Sequence, residues 1–319
     1  MTKKNRNNIL VPVDSLEDLK LTLPQANYFQ QINGANITIL KVIPPTGALK
    51  KILGKKRRND FIKKQEAEAK LKAHITSFYN EIPSYVKTKI VVSRFSNTIR
   101  KELREGRYRM LLMREFSNVR TLLNRLQKES EKLIDRVNCP VMILHEQWTE
   151  NGIKEILVPL DITHKCKEAI LWTIKAAKVL KAKINFVSVV NTSVKVKESL
   201  TYKRAELIKE WLKSIDIECS TVILQAEPSK MEECLLNYAD KGNFDLVIIH
   251  THQGYLASHN HWQNFAKYFI HRSVKPVISM SVKNKPMFKL TGDFSRYSRK
   301  RIENLNIKNY EWQELQEFI

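Results

Sequence analysis

Apolar residues fall along this chain in short runs of two kinds, and the two kinds alternate. Glu155–Asp161 reads EILVPLD, a branched run too short for a helix and closed by an acid, and it predicts a strand. The stretch after it places Ile170, Ile174 and Ala177 at the i, i+4, i+7 spacing of one helical face. Ile184–Val190 (INFVSVV) then returns to a strand pattern. Strand, helix and strand in about 35 residues is the size of a βαβ unit, which feeds a parallel sheet through a right-handed crossover. Strands this uniformly apolar are expected to be buried on both faces.

The pattern is written twice. Asn8–Asp14 (NILVPVD) precedes EILVPLD by 147 positions, and Ala35–Ile43 (ANITILKVI) precedes AKINFVSVV by the same 147. Tyr108–Arg114 (YRMLLMR) matches Phe244–His250 (FDLVIIH), and Cys139–Leu144 (CPVMIL) matches Lys275–Met280 (KPVISM), both 136 apart. Constant spacing inside each half, with one length change of 11 between them, predicts a duplicated domain with an insertion in its first copy. The boundaries read as 1–147, with the insert at about 49–72, then 153–283, then a basic tail over 284–319.

Within the first copy, strands are predicted at Ile9–Val13, Ile37–Ile43, Lys89–Val92, Met110–Met113 and Val141–Leu144. Helices are expected from about Pro24 to Ile32, in the later part of Lys50–His74, over Ile99–Leu103 and over Val119–Val137. Pro24 sets the first of these starts, because proline suits the first turn of a helix and disrupts its interior. The second copy repeats the order, with strands at Ile156–Leu160, Ile184–Val189, Ser220–Leu224, Leu246–Ile249 and Val277–Met280. Its helices are expected near Ala169–Leu180, Tyr202–Ser214, Met231–Asp240 and Trp262–Arg272. In the tail, Trp312, Leu315 and Ile319 are expected to form one stripe of a short amphipathic helix.

Composition narrows the class. With 43% hydrophobic residues and 8% aromatic, the chain reads as globular. No run of some 18 apolar residues predicts a membrane span. MTKKNRNN at the start lacks the apolar middle of a signal peptide, so a cytoplasmic protein is expected. Cys139, Cys166, Cys219 and Cys234 are scattered without a CxxC, against both a disulfide framework and a zinc knuckle. Charge changes the picture more. Fifty-five Lys and Arg against 33 Asp and Glu give a formal net charge of +22, more than solubility requires.

The ordered set ILVPxD, helix, apolar strand ending in Val, D-L-V-I-I, loop and helix, then x-P-V, occurring twice, resembles the universal stress protein family in its tandem form. The resemblance covers about residues 8–146 and 154–283. It implies two doubly wound, five-stranded parallel α/β sheets of Rossmann-like form in tandem. In ATP-binding members the acid after the first strand and a Val ending the second hold adenosine, which implies Asp14 with Val42 and Asp161 with Val189 here. A G-x2-G-x9-G-(S/T) loop after the fourth strand holds the phosphates, where backbone N–H groups must approach without a Cβ in the way. Its four positions become Arg114, Ser117, Gln127 and Lys128 in the first copy. In the second they become His250, Gln253, Gln263 and Asn264, with Gly254 one residue late. No motif glycine remains, so no ATP cofactor is expected by the family's mode. The alternative is an ATP-binding protein with a remodelled phosphate loop. The closing strands Val141–Leu144 and Val277–Met280 resemble the family's dimer contact, so an intramolecular pseudo-dimer of the two copies is expected.

Other chemistry finds little support. His250, His252, His259, His261 and His271 cluster within 22 residues, yet no nearby Cys or carboxylate completes a metal shell, and no metal is expected. Cys166 near a helix start is read as a small packed residue rather than an activated thiol. Without a Walker A sequence, a G-x-S-x-G elbow or a redox pair, no enzyme is expected. The implied role is a non-catalytic stress-response protein that binds an unidentified protein partner, or a polyanion through Lys50, Lys51, Lys55, Lys56, Arg57 and Arg58. From Leu49 to Lys72 ten basic residues face only Asp60, Glu66 and Glu68, a net +7 in 24 residues. Replacing Lys55, Lys56, Arg57 and Arg58 by Ser is expected to flatten the salt dependence of duplex binding by roughly three to four log–log units. An unchanged slope in a filter-binding titration would reduce the cluster to a solubilising face.

Overall fold

The alternation of apolar strands with crossover helices produces one parallel sheet in each half of the chain. A computed structural model describes residues 8–44, 56–106, 108–115, 137, 139–145, 152–162, 166–250 and 259–280. The chain divides into unit 1, Met1–Trp148, and unit 2, Thr149–Ile319.

Unit 1 runs β1 (Asn8–Val13), α1 (Leu16–Asn33), β2 (Asn36–Ile43), α2 (Lys56–Tyr79), β3 (Val86–Val92), α3 (Phe95–Gly106), β4 (Tyr108–Arg114) and β5 (Val141–Leu144). Its strands lie in the order β3-β2-β1-β4-β5, with every described pairing parallel. Unit 2 runs β6 (Glu155–Pro159), α4 (Lys167–Leu180), β7 (Lys183–Asn191), α5 (Leu200–Ser214), β8 (Cys219–Ala226), α6 (Met231–Lys241), β9 (Leu246–His250), α7 (His259–Arg272) and β10 (Val277–Met280). Its order is β8-β7-β6-β9-β10, again parallel throughout. Two doubly wound five-stranded sheets are therefore present, as the strand patterns predict. The central strands are closed from water on both faces: Leu10, Val11, Leu111, Leu112, Leu157, Val158, Val247 and Ile249 are all fully buried.

Local differences from the sequence reading have physical causes. Helix α1 begins at Leu16 and carries Pro24 in its interior, rather than starting at that proline. A capping box holds the earlier start: Ser15 Oγ accepts from the Asp18 N–H at 3.1 Å, and Asp18 Oδ2 accepts from the Asp14 and Ser15 N–H groups at 2.9 Å each. Leu19, Leu23, Ala26 and Phe29 are buried along the same helix, and that packing offsets the bond that Pro24 cannot donate. Gly34, at φ 63°, ends the helix in the left-handed conformation. Helix α2 is helical from Lys56 onward, not only in its later part. The helix expected over 119–137, apart from Val137, and the tail helix lie outside the described residues.

One packing device is repeated at the 136-residue offset. A Cβ added at Gly106 would stand 2.1 Å from Tyr108 Cε2, and one at Gly242 would stand 2.1 Å from Phe244 Cε2. Each glycine thus makes room for an aromatic ring, Tyr108 at the start of β4 or Phe244 just before β9. At Gly242 the Tyr238 carbonyl oxygen also closes in, at 3.0 Å. Gly242→Ala is therefore expected to cost about 1–3 kcal/mol through overpacking, read as a lowered Tm. A wild-type Tm would mean that the Phe244 ring moves aside freely.

Candidate binding site at the carboxyl ends of the strands

Strand β1 leads outward to β2 and β3 on one side and has β4 on the other, so the strand order reverses between β1 and β4. Open α/β sheets take ligands in the crevice outside the carboxyl ends of the strands at such a point. In unit 1 this crevice is bordered by Asp14 and Ser15 after β1 and by Arg114 and Glu115 at the end of β4. In unit 2 the same place lies between β6 and β9, bordered by Leu160, Asp161 and His250.

Of the residues expected on the adenosine side, Asp14 follows β1 and Val42 sits near the end of the neighbouring β2. Asp161 and Val189 hold the same positions on β6 and β7. Val42 is buried and Val189 half-buried. The acid in unit 1 has a partner that the sequence reading missed. The register places Lys41 opposite Val13, so its ammonium reaches the end of β1. Lys41 Nζ lies 3.2 Å from Asp14 Oδ1 and also donates to the Asp14 carbonyl oxygen. In unit 2 the equivalent residue is Ser188, whose hydroxyl donates to the Leu160 carbonyl at 2.6 Å. One copy sets a cation against the acid at this position, and the other a neutral hydroxyl turned to the backbone.

The phosphate side differs as well. Arg114, at the first glycine position of unit 1, extends from β4 to the start of α1, where its Nη1 lies 3.6 Å from Asp18 Oδ1. The Asp18 carboxylate already accepts two backbone N–H groups there and is only 6% exposed. Two backbone donors and a guanidinium around one carboxylate is the arrangement that a bound phosphate would need. Unit 1 supplies such an anion from its own chain, in Asp18. Next to it, His145 Nδ1 lies 2.7 Å from Glu115 Oε2, with both side chains nearly closed to water.

In unit 2 the first glycine position is His250, the last residue of β9, buried with only 3% exposure. Its Nε2 has no hydrogen-bond partner among the described residues. Burial pushes its pKa down to about 3, because the imidazolium would lose its hydration with nothing in exchange. Helix α4 is preceded by Cys166 without a side-chain cap, in contrast to the capping box of α1. Arg204, on α5, donates to the Ile162 carbonyl at 3.1 Å and so ties α5 to the loop after β6.

Ser117, Gln127, Lys128, Gln253 and Gly254 lie outside the described residues, as do the side chains of Gln263 and Asn264 on α7. So do Lys50, Lys51 and Lys55, whereas Lys56, Arg57 and Arg58 form the first turn of α2. Among the described residues no group of three or more His, Cys, Asp or Glu could hold a metal ion. None of the four cysteines is in a disulfide, and burial pushes the Cys139 thiol up to about 12 and that of Cys219 to about 11. Cys166 is buried at 2% exposure, as a packed residue would be. No helix among the described residues is long and apolar enough to cross a membrane.

Two doubly wound five-stranded sheets in one chain, each with its crevice at the strand reversal, define a tandem α/β protein. The universal stress protein family matches this chain twice, over residues 5–145 and 152–279, and the chain belongs to that family. A universal stress protein from Archaeoglobus fulgidus DSM 4304 is similar in fold, with a TM-score of 0.60 at 17% identity, covering 86% of this chain and 96% of that one. A functionally unknown protein from Pseudomonas aeruginosa PAO1 is similar too, with a TM-score of 0.56 at 17% identity, covering 86% and 92%. No curated protein matches the chain.

The buried His250 generates a pH dependence whose sign follows from its depressed pKa. The unfolded chain takes up a proton below about 6.5, while the folded chain resists it down to about 3. The stability linked to His250 is therefore complete above pH 6.5 and lost as the pH falls toward 3. Between pH 7 and pH 5 the loss is expected to be about 2 kcal/mol. Urea titrations of His250→Leu should show that much less change between the two pH values. An acid slope equal to wild type would mean that His250 gains a proton partner in the folded state.

Proposed function

We propose that this chain is a non-catalytic member of its family, a stress-response protein of the cytoplasm that acts by binding other macromolecules rather than by turning over ATP. The observation that carries the reading is the internal pairing at the unit 1 crevice. Arg114 lies against Asp18 at the head of α1, and Lys41 lies against Asp14. A nucleotide entering there would have to displace two ion pairs of the chain's own making. In unit 2 the buried His250 stands where the phosphate motif has a glycine, and its neutral imidazole brings no positive charge to a phosphate.

A second reading has one observation in its favour, and it concerns unit 2 alone. Ser188 stands where unit 1 has Lys41, and its hydroxyl turns to the Leu160 carbonyl. A remodelled loop in that unit would then bind ATP through the acid and Val189.

Calorimetric titration of the whole chain with Mg·ATP separates the two. The first reading expects no binding tighter than about millimolar, a free energy of only about −4 kcal/mol. A micromolar isotherm with one site per chain, abolished by Asp161→Ala and untouched by Asp14→Ala, would replace it with the second.

A further inference from the structure

Helix α2 is longer than the sheet it crosses. Its 24 residues span about 36 Å, whereas the eight residues of β2 extend about 26 Å. The excess lies in its N-terminal half. Leu71 and Ile75 are buried, but every residue from Asp60 to Lys70 is exposed or half-buried. Because α2 starts after β2 ends, this overhang stands at the carboxyl edge of the unit 1 sheet. It carries two large apolar side chains in water, Phe61 at 60% exposure and Ile62 at 42%. From Lys56 to Lys64 it also carries five cations (Lys56, Arg57, Arg58, Lys63 and Lys64) against the single acid Asp60.

We infer that the overhang of α2 is a docking surface for an acidic amphipathic segment of a partner protein, seated on Phe61 and Ile62 and ringed by Lys63 and Lys64. The inference rests on the reading of the chain as a binding protein and names the chemistry of its partner. Charge alone would suit any polyanion, and the two apolar side chains decide between them. A nucleic-acid backbone covers neither, so about 1.5–3 kcal/mol of burial per side chain would go unused. An anionic bilayer requires a broad apolar helix face. Here Phe61 and Ile62 are consecutive, hence about 100° apart around the helix, and Glu66 and Glu68 follow within two turns. A partner that intersperses apolar anchors with Asp or Glu covers both side chains and meets the cations. Interfaces of this kind draw most of their affinity from a few such anchors.

The test uses the whole chain and a fluorescent peptide of about four helical turns, with Leu and Trp along one face and Glu elsewhere. A permuted peptide of identical composition but no periodicity, a duplex DNA and a vesicle of anionic lipid complete the set. Anisotropy is expected to show micromolar binding of the amphipathic peptide and about tenfold weaker binding of the permuted one, a difference of about 1.4 kcal/mol. Phe61→Ser with Ile62→Ser should lose the amphipathic peptide about tenfold and leave any DNA binding unchanged. Lys63→Glu with Lys64→Glu should weaken the peptide and reduce the salt dependence of its binding. Circular dichroism of both variants confirms that they fold, as exposed substitutions on a helix overhang should. Equal binding of the two peptides, wild-type affinity in the Ser variant, or binding of DNA or vesicles alone would overturn the inference. So would the absence of any binding to the peptide. A Mg·ATP isotherm, by contrast, would overturn the functional reading and leave the peptide result intact.

Discussion

Everything at the crevice follows from the placement of β4 beside β1 instead of beyond β3. A parallel strand needs a crossover: the chain steps outward from β1 to β2 and β3, then returns through α3 to set β4 on the other side of β1. The carboxyl ends of β1 and β4 lie side by side where the two directions part. Asp14, Arg114, Asp161 and His250 matter because the strand order delivers them to that point.

Given the same backbone, the two copies have settled its chemistry in different ways. Unit 1 answers positive helix-end potential with its own Asp18 and then neutralises that acid with Arg114. It answers Asp14 with Lys41. This is a closed electrostatic account in which each charge has a partner and a helix end has its cap. Unit 2 has a hydroxyl turned to the backbone at the Lys41 position and an imidazole kept neutral by burial at the Arg114 position. Duplication preserved the sheet, whose packing tolerates little, and released the strand ends, where one side chain changes charge without moving a strand.

The basic character of the chain has a structural counterpart in α2. A crossover helix ordinarily ends where its strands end, because past that point it has nothing to bury. This one continues, and its extra turns leave Phe61 and Ile62 exposed. Exposed apolar groups amid like charges combine a long-range attraction with a short-range anchor, the combination that gives an encounter both rate and specificity.

Strand and helix identity, the duplication and the family were all legible in the sequence, because burial on both faces leaves β-branched runs that no helix would carry. The missing glycines were legible too, since a motif position either has a Cβ or lacks one. Even the start of α1 could have been read from Ser15 and Asp18, a capping box three residues apart that outweighs Pro24. What remained hidden depends on neighbours distant in the chain. Lys41 meets Asp14 only because β2 pairs with β1 in one register, and Arg114 meets Asp18 only because β4 lies on the other side of β1. Gly106 and Gly242 give no sign in the sequence that an aromatic ring two residues later fills the space of their absent Cβ. His250 falls one residue past the strand predicted from the sequence, yet the sheet includes it, buries it and keeps it neutral. Local pattern determined which segments form buried strands and crossover helices, and the strand order decided which charges would face each other.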